Sequence, residues 1–192
     1  SLEHFAADVY GLLHALAVPE CHLVGHSMGG MVAQEFVLRH PEMVRALVLV
    51  DTAAEVPEGI PWQERVRLMD LARTEGIEAV FEEMLRTQPL PSQLAAENPQ
   101  FIGVWREQFL MTSLEGYLYC GQAIGNRRPL LEELSQVRVP NLIVCGELDE
   151  PFLEPSRRMH QRIASSELVV IAGAGHTPIL EKPSEFNRVL LS

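Results

Sequence analysis

The sequence predicts an α/β fold, a parallel sheet flanked by helices. Three observations carry that expectation. Short apolar runs recur along the chain, at "CHLVG", "VRALVLVD", "NLIVCG" and "SELVVI". Segments with the 3.6-residue period of an amphipathic helix alternate with them. The run at residues 44–51 is apolar almost without interruption, which suits a parallel strand buried on both faces.

Taken in order, the chain opens on a helix, with Leu2, Phe5, Val9, Leu12, Leu13 and Leu16 at helical spacing and Pro19 expected to end it. "CHLVG" follows as a strand, and residues 28–40 carry a helical pattern closed by His40-Pro41. With "VRALVLVD" this makes a βαβ unit, whose crossover is expected to be right-handed. Residues 55–134 differ in character. Pro57, Pro61, Pro89, Pro91, Pro99 and Pro129 punctuate amphipathic stretches such as "WQERVRLMDLARTEG", "IEAVFEEMLRT" and "FIGVWREQFLMT", so a helical insertion without strands is expected there. The strand signal returns in "VPNLIVCGELD" and "SELVVIAGAGH", separated by the helical "LEPSRRMHQRIA", and "PSEFNRVLL" closes the chain as a helix. The expected organisation is one core built from residues 1–54 and 135–192, interrupted by the insertion at 55–134.

Composition narrows the function classes. A chain of 192 residues, 47% hydrophobic and 21% charged, with mean hydropathy near zero, has the make-up of a soluble globular protein with one substantial core. No apolar run approaches the roughly 20 residues that span a bilayer. The net charge is −11, and no Lys/Arg cluster exceeds the pairs Arg127-Arg128 and Arg157-Arg158, which disfavours nucleic acid and anionic membrane as partners. Cys21, Cys120 and Cys145 are widely spaced and sit in apolar segments, so they are expected to be buried free thiols in a reducing compartment. With no signal-peptide pattern at the start, the expected location is cytoplasmic.

In an open parallel sheet, ligands bind beyond the carboxyl ends of the strands, so the informative residues should lie just after each one. The first such end reads Gly25-His26-Ser27-Met28-Gly29, the pattern G-x-S-x-G. A serine on a sharp, strained turn needs small residues two before and two after it, because a Cβ at Gly25 or Gly29 is expected to collide with neighbouring backbone. The helix that follows points unpaired N–H groups and a positive dipole end at any anion formed beside the hydroxyl. On the motif alone two other readings stay open: a glycine-rich turn with an idle serine, or a phosphate-binding loop. "GHSMGG" lacks the Gly-Lys-Ser/Thr ending that supplies the cation of such a loop.

A serine hydroxyl needs a base to take its proton, and the base needs a group to orient it. Both occur at later strand ends, in the order Ser, acid, His that accompanies this turn. His176 lies in the small-residue loop "GAGHTP", whereas His4, His14, His22, His40 and His160 fall on expected helices, strands or helix ends. His26 is expected to project away from Ser27 along the turn, as a structural residue. For the acid, Asp149 is favoured within "ELDE", Glu147 and Glu150 having the wrong length or placement. Asp51, which also caps a strand, is its competitor; a loop two strands beyond the serine strand comes closer to the histidine loop. The candidate catalytic residues are thus Ser27, Asp149 and His176. Cys21 and His22 pair only on paper, since successive strand residues point to opposite faces. There is no H-E-x-x-H, no zinc-spaced cysteine pair, no calcium loop and no Gly-x-Gly-x-x-Gly after a strand, so neither a metal nor a cofactor is expected.

The stretches "LVGHSMGGMVAQEFVLRHPEMVRALVLVDTA", "VPNLIVCGELDEPF" and "VVIAGAGHTPILEKPSEFNRVLL" resemble the α/β-hydrolase family, and within it the small bacterial esterases and enol-lactonases. The resemblance runs essentially the whole length and is weakest in the insertion. It implies an α/β-hydrolase fold, with Ser27 as nucleophile, Asp149 as acid, His176 as base and the backbone N–H of Met28 as the first oxyanion-hole donor. It also implies that residues 55–134 form a helical cap over a substrate pocket. That insertion is rich in Leu, Met and Phe without an evident charged cluster, so a small carboxylic ester or lactone is the expected substrate. The same triad could instead serve carbon–carbon bond hydrolysis or perhydrolysis, and a non-catalytic ligand-binding protein or inactive fragment of the same fold is the alternative from another class.

Family members begin with several strands before the helix that opens this chain, and a His-Gly segment after an early strand supplies their second oxyanion donor. The 192 residues contain nothing of the kind, so the N-terminal part of the sheet is expected to be missing and the chain to be a fragment, to which the lack of an initiating Met adds. Losing one oxyanion donor typically costs about 10²- to 10³-fold in rate. The serine strand would then be a sheet edge with unpaired backbone groups, which invites pairing with another chain. The alternative to a longer native protein is that the shortened chain pairs with a partner or with itself, as a homo-oligomer through that edge; a monomeric mass in solution scattering would contradict self-association.

Overall fold

The computed structural model of the chain describes residues 1–56, 62–87 and 99–191. The chain divides into two compact units, Ser1–Ile60 with Asn126–Ser192, and Pro61–Gly125. In chain order the described helices are α1 (Leu2–Ala15), α2 (Met28–Arg39), α3 (Trp62–Glu75), α4 (Ile77–Thr87), α5 (Pro99–Leu110), α6 (Leu114–Gly125), α7 (Glu150–Arg162), α8 (Pro178–Glu181) and α9 (Pro183–Leu190). The strands are β1 (Cys21–His26), β2 (Val44–Val50), β3 (Asn141–Gly146) and β4 (Ser166–Ile171). They form a four-stranded sheet in the order β1-β2-β3-β4, parallel throughout.

The two central runs, β2 and β3, become strands because the sheet buries both their faces. Successive side chains of a strand point to opposite sides, so an unbroken apolar run serves two cores at once. Leu47, Leu49 and Ile143 pack on one face with Phe36 and Val37 of α2, Leu134, and Met159 and Ile163 at the end of α7. Val48, Val50 and Val144 pack on the other with Ile171, Ala174 and Phe186 of α9. Burying each such side chain contributes roughly 1.5–3 kcal/mol relative to leaving it exposed. Glu35, fully enclosed in α2, is held by Arg39 one turn on and by Arg128, which also pairs with Glu133, so the buried carboxylate has charged partners.

The smaller unit has its own apolar centre. Leu68, Ala72 and Val80 pack with Ile77, Met84 and Phe109, and the buried Phe81 ring meets Trp105 and Phe109 at ring-centre distances of 5.1 and 5.4 Å. No strand occurs in it among the described residues. Pro57, Pro61, Pro89 and Pro91, four of the prolines expected to punctuate the insertion, lie outside the described residues. Among the described residues no helix is long and apolar enough to cross a membrane.

Several expectations are corrected. α1 ends at Ala15, four residues before Pro19, because Ala17 turns left-handed (φ 54°) and the N–H of Val18 reaches back to the Leu13 carbonyl at 2.9 Å. Only part of the apolar stripe of α1 is used: Leu2 and Ala6 are buried, while Leu12 and Leu16 are exposed. The reason lies next to them. Among the described strands β1 is an edge, and Val24, Leu12 and Phe5 line an apolar groove of about 510 Å³ along it. Edge placement also leaves Cys21 half-buried, as is Cys120 on α6; all three thiols are free and only Cys145 is buried. α7 starts three residues earlier than its periodicity suggests, because Pro151 in the first turn has no N–H to leave unsatisfied.

Ala17 adopts a conformation that glycine takes at no steric cost and other L-residues at roughly 1 kcal/mol. Ala17→Gly is therefore expected to raise stability by about 0.5–1 kcal/mol, read as a higher urea midpoint with an unchanged slope.

Candidate active site

The parallel hydrogen-bond ladder continues one residue past the strands. The N–H of Ser27 donates to the carbonyl of Val50 at 2.9 Å, that of Asp51 to Val144 at 2.9 Å, and that of Glu147 to Ile171 at 3.0 Å. Three chain ends are thereby held side by side along one edge of the sheet, which is where the chemistry-bearing residues lie.

Ser27 sits between β1 and α2 with φ 52° and ψ −118°, a conformation that a residue with a Cβ holds only when its surroundings enforce it. The enforcement is specific. A Cβ on Gly25 would stand 2.5 Å from the Gly29 carbonyl oxygen, so α2 can start this close to β1 only over a glycine. A Cβ on Gly30 would stand 2.6 Å from the side chain of Thr52, whose hydroxyl donates to the Ser27 carbonyl at 2.8 Å. Gly29 is different: a Cβ there meets nothing within 4 Å. The expectation that Gly25 and Gly29 flank the serine for steric reasons thus holds for Gly25 and passes from Gly29 to Gly30. Met28 is the first residue of α2, so its N–H has no partner within the helix and stands beside the serine.

The other candidates converge on this turn. His176, in the loop after β4, lies with Nε2 3.0 Å from Ser27 Oγ, and its Nδ1 lies 2.8 Å from Asp149 Oδ2. Asp149 is buried between β3 and α7, whose first turn it opens by accepting from the N–H of Phe152 at 2.9 Å. A carboxylate at Nδ1 puts the proton there and leaves Nε2 as the acceptor facing the hydroxyl. Glu147 is engaged elsewhere, accepting from the Gly173 N–H at 2.8 Å, and Glu150 is exposed.

The histidine loop is held by residues the sequence did not point to. Glu181 in α8 accepts the N–H of Gly175 on one oxygen and both the N–H and hydroxyl of Thr177 on the other, each at 2.8 Å, so one carboxylate grips both neighbours of His176. His26 is structural, as expected: its Nε2 donates to the His176 carbonyl at 2.6 Å and so ties the serine turn to the histidine loop. Burial holds the His26 imidazole below its ordinary pKa, outweighing the bond to the His176 carbonyl, which pulls the other way. Gly146 admits the loop, since a Cβ there would stand 2.0 Å from the Gly175 carbonyl oxygen.

Residues 1–189 match the profile of the alpha/beta hydrolase family. The chain belongs to that family. It is 26% identical over 192 residues to 3-oxoadipate enol-lactonase 2 of Acinetobacter baylyi, covering 98% of this chain and 69% of that protein. Among solved structures it is similar to the enol-lactonase from Burkholderia xenovorans, with a TM-score of 0.88 at 27% identity over 100% of this chain and 72% of that one. A thermophilic esterase from Thermogutta terrifontis gives a TM-score of 0.85 at 28% identity, over 99% and 70% of the two chains.

One group of possible metal-binding atoms accompanies this α/β-hydrolase site among the described residues: those of Asp51, Cys145 and Asp149 lie within 4.8 Å of one another. The set is a poor match for a cation, although the Oδ2 of Asp51 has no hydrogen-bond partner. Asp149 is engaged by His176, Asp51 Oδ1 accepts the Gly146 N–H at 2.8 Å, and burial pushes the Cys145 thiol up, away from the thiolate a metal would need.

The glycine assignments separate cleanly in experiment. Gly30→Ala is expected to cost about 1–3 kcal/mol of stability through overpacking against Thr52. Gly29→Ala is expected to be neutral or to gain about 0.5–1 kcal/mol as a helix residue. Paired denaturation curves of the two variants against the parent check both.

Proposed function

We propose that this α/β-hydrolase cleaves a small carboxylic ester or lactone through an acyl-enzyme, with Ser27 as nucleophile, His176 as base and Asp149 as the acid that orients it. The observation that carries the reading is the continuous relay from Ser27 Oγ to His176 Nε2 at 3.0 Å and from His176 Nδ1 to Asp149 Oδ2 at 2.8 Å, built on a strained strand-to-helix turn. The lactonase and esterase similarities above support the substrate class.

In this reading Ser27 Oγ attacks the carbonyl carbon while its proton passes to His176 Nε2. Asp149 stabilises the imidazolium that forms and keeps its ring in place. The carbonyl oxygen, now an oxyanion, takes the N–H of Met28 at the positive end of α2. Collapse of the tetrahedral species breaks the carbon–oxygen bond, and His176 gives its proton to the departing alkoxide. Water then attacks the acyl-serine by the same route in reverse, releasing the acid and restoring the serine.

Turnover of a chromogenic short-chain ester by the parent and by Ser27→Ala tests this. The expected loss is at least about 10³-fold, together with loss of labelling by a sulfonyl fluoride that modifies the parent at Ser27. Equal rates in the two proteins would end the nucleophile assignment.

A further inference from the structure

Among the described residues, Asp51 is the one buried carboxyl beside the relay that the proposed chemistry does not use. It follows β2 directly, is wholly enclosed, and sits at φ 43°. Its Oδ1 accepts the Gly146 N–H at 2.8 Å, while its Oδ2 is buried with no hydrogen-bond partner. One of its carboxyl oxygens, one of Asp149 and the thiol sulfur of Cys145 lie within 4.8 Å of one another. Two carboxylates enclosed this closely repel each other and lack the water that would screen them, so the arrangement favours one charge on the pair. Of the two, Asp149 is the one that faces the His176 ring, accepting its Nδ1–H at 2.8 Å.

We propose that Asp51 is a positioning residue for Asp149: an uncharged carboxylic acid whose Oδ2 hydroxyl is directed at the Asp149 carboxylate. The single charge of the pair then rests on the group that orients His176, and the orphan oxygen of Asp51 becomes a donor. This role rests on the hydrolase reading for its link to turnover.

The groups that face Asp51 point the same way. From β3 comes the Cys145 thiol, held neutral by burial, with the Ser156 hydroxyl of α7 beside it; from the start of α7 comes Asp149, and beyond it the imidazole of His176. Burial pushes the Asp51 carboxyl up, the Gly146 N–H pulls it down and Asp149 pushes it up further, to about 9. An acid whose folded pKa exceeds its unfolded one favours folding fully below the unfolded value. That contribution declines as pH rises towards the folded value, because unfolding then releases a proton.

The test compares the full chain with Asp51→Asn, which keeps the Gly146 acceptor and a donor towards Asp149, and with Asp51→Ala, which keeps neither. From about pH 5 to about pH 9 the unfolding constant of the parent relative to Asp51→Asn is expected to rise about tenfold per pH unit. A flat ratio, or one that falls with pH, overturns the neutral acid. In turnover of the chromogenic ester at neutral pH, Asp51→Asn is expected to stay within about threefold of the parent while Asp51→Ala loses about tenfold or more in kcat, and equal rates in the two variants overturn the positioning role. Should Asp51→Asn fail to fold, the infrared spectrum of the folded parent decides. A protonated-carboxyl band at neutral pH that disappears on raising pH supports the proposal, and its absence overturns it. A parent protein with no esterase activity would sink the hydrolase reading, while the stability and infrared measurements still judge Asp51.

Discussion

The register of the parallel ladder is the constraint on which the site depends. In a parallel pair the hydrogen bonds are evenly spaced, so strands in register finish together. Here His26 lies opposite Val50, Val50 opposite Val144 and Gly146 opposite Ile171, and the next residue of each of the first three strands still donates to its neighbour. The serine turn, Asp51 and the loop carrying Asp149 therefore emerge along a common line. A slip of one residue in any strand would move that strand's contribution by about 3.3 Å and turn its side chains to the opposite face. The two cores prevent such a slip, because the alternation of Leu47 and Leu49 with Val48 and Val50 fits only one register.

The ladder also bears the local cost of the site. Ser27 and Asp51, one residue past adjacent strands, both hold positive φ without being glycine. Such conformations cost on the order of 1–3 kcal/mol each and persist only where neighbouring structure over-determines them. For Ser27 the determinants are the Val50 carbonyl, the Thr52 hydroxyl and the close approach of α2 over Gly25. For Asp51 they are the Val144 carbonyl and the Gly146 N–H. Residue 52 thus supports the strain at residue 27, and the end of β3 supports the strain at residue 51.

How much of this could be read from the sequence follows from which forces leave a pattern in it. Strand burial does: the runs that form β2 and β3 are apolar because both their faces are covered, whereas β1 and β4 leave Val24 and Val170 exposed. The neighbours Ser27, Asp149 and His176 were legible because parallel sheets collect their loops at one end, and the preference for Asp149 over Asp51 followed from counting strands. Side chains that act on backbone atoms leave almost no pattern. Thr52, which holds the serine carbonyl, and Glu181, which grips both sides of His176, were invisible for that reason. A Thr177-Pro178 helix start with a glutamate within the next turn was the one available sign of Glu181. His26 reads as structural in the sequence, but its partner, a carbonyl 150 positions away, is one that no local rule anticipates. Gly29 misled because a motif records where small residues occur and not which of them is crowded.

The hydrogen bond between His176 and Ser27 joins residues 149 positions apart, across nearly the whole chain. Such a contact can exist only when both ends of the described sheet are in place, since Ser27 follows β1 and His176 follows β4. Its integrity reports on the register of the described strands, from β1 to β4, more directly than helix content can.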